Sequence, residues 1–312
     1  MASRGHTRVM AQPSVIALFG PTGVGKTAVA VALAERLRER GEDPLAISAD
    51  ALQVYRGLGA LTGAPSAEER ERLEHRLVGT VPVTETFSAG EFALLAHGEI
   101  DGALATGRRP IVVGGTGLYL RAALSELDLR PPPAEGVRER LTSELERDGP
   151  AGLHARLMRA APDAAAAVDP GDRTRVVRAL ELLDMGEEPA PAGEDSRLWT
   201  AATRHPTVLC GLVMEREALY ARIDARVDQL VATGARGEVE RAEQAGASAT
   251  ARKALGYEEL LRGDLDSMRR RSRNLAKRQL TWLRKLRDVH LIDVTDRAPS
   301  EVAAEIEPLT VA

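Results

Sequence analysis

Residues Gly20–Thr27 read GPTGVGKT, so Gly20, Gly25, Lys26 and Thr27 satisfy the spacing G-x-x-x-x-G-K-[ST]. A loop of this kind offers an anion its backbone N–H groups and the N-terminus of the helix that follows. Lys26 adds a mobile charge for the outermost phosphate, and Thr27 adds a hydroxyl suited to Mg²⁺. The candidate diphosphate-binding residues are therefore Gly20, Pro21, Thr22, Gly23, Val24, Gly25, Lys26 and Thr27. The spacing names phosphates without naming their owner. ATP fits it, and so does another diphosphate.

A hydrolytic protein with this loop also needs an acid at the end of a neighbouring strand, to hold the metal or its water. The most obvious such strand, in RRPIVVGGTGLYL, ends in Gly114, Gly115 and Thr116 where that acid would stand. The other candidate is Asp50, which follows LAIS and opens the polar stretch DALQVY. A carboxylate there suits a metal ligand or a general base. Thr116 lies between two glycines, which let backbone approach a ligand closely.

A third feature is cationic. Arg269–Arg287, RRRSRNLAKRQLTWLRKLR, carries nine Lys or Arg and no acid. Leu275, Leu280, Leu283 and Leu286 recur at helical spacing, with Trp282 read as core. This predicts an amphipathic helix with one face for a polyanion. Arg173, Arg175 and Arg178 form a smaller basic face. The six histidines do not pair at ligand spacing and Cys210 is the only cysteine, which argues against zinc. No nucleophile elbow is present.

These groups need a scaffold. The apolar run Ser14–Phe19 stops at the glycine loop, and Thr27–Arg38 continues with helical spacing. Leu45–Ser48, Pro110–Val113 and Thr207–Met214 are further buried strands, and Glu91–Ala105 is a helix. Strands alternating with helices predict an α/β fold, a parallel sheet flanked by helices with ligands at the carboxyl ends of the strands. LRPPPAEG and EEPAPAGEDS are turn-rich breaks, and the chain between them is charged and helical. The expected organisation is a phosphate-loop core of residues 13–123 and 199–312, interrupted by an all-helical insertion, 124–198. At 312 residues and 44% hydrophobic the chain can bury such a core; with 3% aromatics, the core must be Leu, Val, Ile and Ala. A net charge of -4 confines any RNA surface to local patches. A single cysteine fits a reducing cytoplasm. Met1–Gln12 lacks the apolar core of a signal peptide, so a frayed N-terminus is expected, and no run approaches a membrane span. A soluble cytoplasmic monomer is expected.

GPTGVGKT, SADALQVYRGL, FSAGEF, PIVVGGTGLYL, DRTRVVRALEL, LYARIDARV, ALGYEEL and LAKRQLTW occur in that order between about residues 14 and 295. The ordered set resembles the tRNA dimethylallyltransferases, also called tRNA isopentenyltransferases. The resemblance implies transfer of a dimethylallyl group from its diphosphate to the exocyclic N6 amine of an adenosine 3′ of the tRNA anticodon. It also explains the missing acid at Gly114, since the diphosphate is only a leaving group. It implies Mg²⁺, with Thr27 as ligand, and catalytic roles for Asp50, Thr116 and Arg252: Asp50 toward the adenine amine, Thr116 at the meeting point of the substrates, Arg252 toward the leaving group. It implies contacts to tRNA from Asp50, Gln53, Thr174, Arg175, Arg178, Lys277, Arg278 and Gln279, with the insertion gripping the anticodon arm.

The chain departs from the family pattern at Ala51 (Ser), Gly59 (Asp), Ala64 (Lys), Arg76 (His), Thr174 (Gln) and Leu275 (often Tyr). The alternatives are an adenylate isopentenyltransferase acting on free nucleotide, an ATP-dependent small-molecule kinase, and a divergent RNA-binding paralogue. The insertion and the cationic helix argue against the first two, and the intact loop with Asp50 against the third.

Overall fold

Val15–Phe19 (β1) is five apolar residues in a row, and all five are buried. The same holds for Pro44–Ser48 (β2). Continuous burial, without alternation, is what a parallel sheet covered on both faces requires. The computed structural model describes residues 14–130, 133–134, 136–189 and 197–311. Met1–Gln12, read as frayed, and much of the two turn-rich breaks lie outside the described residues. The remaining strands are His75–Arg76 (β3), Arg109–Gly114 (β4), Thr207–Val213 (β5) and Val289–Asp293 (β6). All pair in parallel, in the order β3-β2-β4-β1-β5-β6. The sequence reading missed β3 and β6, the two edge strands. One is two residues long, and the other exposes His290 and Leu291, so neither shows a buried apolar run.

The helices are Lys26–Glu39 (α1), Gly59–Thr62 (α2), Ala67–Arg72 (α3), Ala89–Ala105 (α4), Gly117–Leu124 (α5), Val137–Ala160 (α6), Pro162–Ala166 (α7), Arg173–Asp184 (α8), Arg216–Ala232 (α9), Ala235–Gln244 (α10), Tyr257–Arg262 (α11), Leu265–Leu283 (α12) and Pro299–Ile306 (α13). Helix α4 begins two residues before the expected Glu91 because Ser88 and Glu91 form a capping box. The main core joins β1, β4 and β5 to α1 through Ile16, Leu18, Leu33, Leu37, Ile111 and Leu212. No helix among the described residues is long and apolar enough to cross a membrane.

The chain divides into two compact units, Met1–Leu127 with Leu198–Ala312, and Asp128–Arg197. The second has only helices as its regular elements among its described residues, with Leu141, Leu145, Leu153, Leu157, Val176 and Leu180 at its centre. Helix α6 breaks at Gly149, where φ is 71° and Pro150 follows. In this unit Arg138 and Arg178 both pair with Glu181, whose side chain is fully buried.

Candidate active site

The phosphate loop joins β1 to α1. Gly25 caps α1 at φ 97°, a conformation that only glycine adopts without strain. Lys26 Nζ donates to the carbonyls of Gly20 and Pro21, each at 3.0 Å. Burial pulls its pKa down to about 8, against the opposing pull of Asp50, and Arg226 lowers it further. The Thr22 N–H donates to Gln279 Oε1 at 2.8 Å, so α12 is tied to the loop. Gly115 closes the other side: a Cβ there would lie 2.5 Å from Gln279 Nε2 and 3.0 Å from the Gly20 oxygen.

Asp50 reaches the loop through the sheet register. Ser48 of β2 is level with Val113 of β4, and Phe19 of β1 with Gly114. The Ala49 N–H donates to Val113 O at 2.8 Å. Two residues past β2, Asp50 Oδ1 accepts the Leu52 N–H at 3.0 Å, which fixes the carboxylate in a local turn. Gln53 follows, accepting from Ser48 Oγ at 2.9 Å and donating to Gly63 O at 3.1 Å. Thr116 stands at the N-cap of α5, where its side chain makes no capping bond. Tyr119, on α5, is buried and packs on Phe92 with ring centres 4.5 Å apart and planes tilted by 38°. Burial holds its phenol well above the ordinary range, with Tyr55, Asp50 and Glu91 adding to the effect, so it stays neutral.

Two arginines that the sequence reading did not single out complete the site. Arg222 and Arg226 lie four residues apart on α9, hence on one face. Arg222 Nη2 lies 3.3 Å from where a Cβ on Gly25 would be. Arg226 donates to Thr62 O at 3.2 Å, and burial lowers its pKa against the pull of Asp50. Among the described residues, no carboxylate comes within ion-pair distance of Lys26, Arg222 or Arg226. Asp50 acts on both Lys26 and Arg226 and Glu69 on Arg226, neither as an ion pair, so the three cations leave positive charge that a multiply charged anion would neutralise. LYARIDARV carried the signal, since its two arginines repeat at i,i+4; nothing local showed what they face.

The other expected site residues lie as follows. Arg252 is held by Glu243 at 2.8 Å and donates to Ala247 O at 3.1 Å. Gln279 is buried against the phosphate loop, off the cationic face. That face is itself divided. Arg269 pairs with Asp228, Arg271 with Glu259 and Arg273 with Asp224. These acids come from α9 and α11, so the first half of α12 is cationic because it binds its neighbours. Lys277 and Arg278 are exposed, with no ion-pair partner among the described residues. Trp282 packs on Trp199 at 4.6 Å. In the second unit, Thr174 is exposed, Arg175 pairs with Asp172 at 3.5 Å and Arg178 with Glu181 at 3.0 Å.

The family model described as IPP transferase matches residues 53–286, and one described as isopentenyl transferase matches residues 13–91. The chain belongs to the IPP transferase family. It is 40% identical over 301 residues to a tRNA dimethylallyltransferase of Thermobifida fusca, covering 91% of this chain and 93% of that one. It is 43% identical over 289 residues to the Anaeromyxobacter dehalogenans enzyme of the same name, covering 88% and 93%. Among solved structures, the full-length tRNA isopentenylpyrophosphate transferase of Bacillus halodurans superposes with a TM-score of 0.67 at 34% identity, over 96% of this chain and 97% of that one. A eukaryotic dimethylallyltransferase acting on tRNA gives 0.71 at 26% identity, over 90% and 74%. In this chain the strand Arg109–Gly114 ends at Gly114–Gly115 and supplies no acid to the loop.

A divalent ion is compatible with this site only alongside its substrate. Thr27 offers one neutral oxygen at the start of α1, and no group of three His, Cys, Asp or Glu among the described residues could hold a metal. Mg²⁺ suits such a place when phosphate oxygens and water supply its other ligands.

Proposed function

We propose that the protein transfers a dimethylallyl group from dimethylallyl diphosphate to the N6 amine of an adenosine 3′ of the anticodon in tRNA. The observation that carries this reading is the cluster of Lys26, Arg222 and Arg226 at the phosphate loop, with Asp50 as the carboxylate electrostatically coupled to both Lys26 and Arg226. Such a loop holds a diphosphate without the acid that water activation needs.

The chemistry follows from the placement. The allylic C1–O bond of the substrate breaks, and its electrons leave with the diphosphate. Loop N–H groups, Lys26, Arg222 and Arg226 stabilise the charge that develops there. The adenine N6 forms the new bond to C1 and gives up a proton, which the Asp50 carboxylate accepts. Mg²⁺ on Thr27 would supply further charge neutralisation to the diphosphate. Burial keeps the Tyr119 phenol neutral, so it adds no second negative charge near the Asp50 carboxylate. An adenine inside an anticodon loop must leave its stack to reach such a point. The exposed Lys277 and Arg278 supply positive charge for the RNA backbone.

Mass spectrometry of nucleosides from tRNA incubated with the protein and dimethylallyl diphosphate tests this reading. The expected product is N6-dimethylallyladenosine. Unmodified tRNA beside prenylated AMP in a parallel reaction would replace the RNA substrate with a free nucleotide.

A further inference from the structure

Helix α2 has only four residues, Gly59–Thr62, and its N-cap, Leu58, makes no side-chain capping bond. A helix this short does not hold itself together in water, so its place is set by what grips it from outside. At its N-terminus the grip is a carboxylate from another helix. Glu238 on α10 accepts the Ala60 N–H on one oxygen and the Leu61 N–H on the other, both at 3.0 Å. Glu238 has no Lys or Arg within ion-pair distance among the described residues, so these backbone groups are its charge-balancing partners.

At the other end, α2 meets the site. The Thr62 carbonyl accepts from Arg226 Nη2 at 3.2 Å. The Gly63 carbonyl accepts from Gln53, three residues past Asp50. Gly63 has φ 60°, and a Cβ there would lie 1.8 Å from Arg226 Nη2, so the guanidinium lies flat against the helix end. The carbonyl end of a helix is a favourable place for a cation. Arg226 in turn is coupled electrostatically to Lys26 and Asp50.

We infer that Glu238 is a positioning residue for the diphosphate site: it fixes α2, and α2 aims the Arg226 guanidinium at the phosphate loop. It touches neither substrate and works through the Thr62 carbonyl. The inference rests on the reading of Arg226 as a diphosphate ligand, and the test separates the two.

The test is a double-mutant cycle with inorganic pyrophosphate as the probe, using Glu238→Gln, Arg226→Gln and the double variant of the full chain, each with a thermal melt. An amide keeps one acceptor oxygen and turns a donor toward the second N–H. Glu238→Gln should weaken pyrophosphate binding roughly tenfold, the size of effect typical of coupled neighbours. Arg226→Gln should weaken it more, and adding Glu238→Gln to Arg226→Gln should change nothing further. Should Glu238→Gln fail to fold, Glu238→Asp, which keeps the charge but reaches one N–H, takes its place in the same cycle. Wild-type affinity in Arg226→Gln would overturn the diphosphate role of Arg226 and this inference with it. A weak Arg226→Gln in which the Glu238 effect persists in full, or a folded Glu238 variant with wild-type affinity, would overturn the inference alone.

Discussion

Gln279 Oε1 accepts the backbone N–H of Thr22 at 2.8 Å, so the cationic helix α12 is pinned to the tip of the phosphate loop. The side chain is buried, and its amide nitrogen faces the spot where Gly115 has no Cβ. Gln279→Ala should therefore act on the loop. Removing one partner of a buried hydrogen bond costs about 1–3 kcal/mol. The expected outcome is a lower melting temperature and weaker pyrophosphate binding, with tRNA retention on a filter unchanged. Loss of tRNA retention with normal pyrophosphate affinity would return Gln279 to the RNA contacts that the motif implied.

Asp50 faces the cations of the loop but is assigned to the acceptor amine. Asp50→Asn keeps the Leu52 turn and removes the proton acceptor. Turnover should fall by ~10²–10⁴, the usual contribution of a general base. Pyrophosphate affinity should hold or improve, because the variant removes the carboxylate that competes for Lys26 and Arg226. Wild-type turnover in this variant would remove Asp50 from the chemistry.

The pKa of Lys26, pulled down to about 8, predicts a pH dependence of diphosphate binding. The bound anion favours the ammonium and raises its pKa, so affinity should fall as pH rises through about 8, by up to tenfold per unit. For the free protein the sign is opposite. Its folded-state pKa lies below the ordinary lysine value of 10.5, so the unfolded chain binds more protons between about 8 and 10.5, and this group makes stability rise with pH across that window. Pyrophosphate titrations from about pH 6.5 to 9.5 should show the loss in wild type beyond that of Lys26→Met. The variant provides the baseline, since the ligand's own proton titrates in both. Parallel curves would contradict a protonated Lys26 as ligand.

Legibility in the sequence followed the range of the interaction. The loop, β1 and β4 announce themselves because glycine spacing and buried apolar runs are local. Asp50 and Thr116 could be picked out because a strand's carboxyl end is where a parallel sheet binds ligands. Arg226 could not, although its spacing from Arg222 was visible, because its role depends on where α9 packs. The cationic helix was read too uniformly for the same reason. The acids that balance Arg269, Arg271 and Arg273 are Asp228, Glu259 and Asp224, between 12 and 49 residues away in the chain.

That division yields a contrast between two halves of one helix. Arg273→Glu would set a carboxylate against Asp224 and lose one of the two ion pairs that join α12 to α9. It should lower stability by about 1–3 kcal/mol, as loss of a partly buried network does. Lys277→Glu with Arg278→Glu touches no ion pair among the described residues, so the melt should move little. If these two side chains meet RNA phosphates, tRNA affinity should fall across sequences. The salt dependence should flatten by roughly one unit of slope or less per lost phosphate contact. Pyrophosphate affinity should stay within about twofold of wild type, because α12 touches the loop through Gln279 and not through these residues. A folded Lys277/Arg278 variant with wild-type tRNA affinity at every salt concentration would make this half of the helix a solvated surface, and would shift the search for the RNA grip to the helical unit Asp128–Arg197.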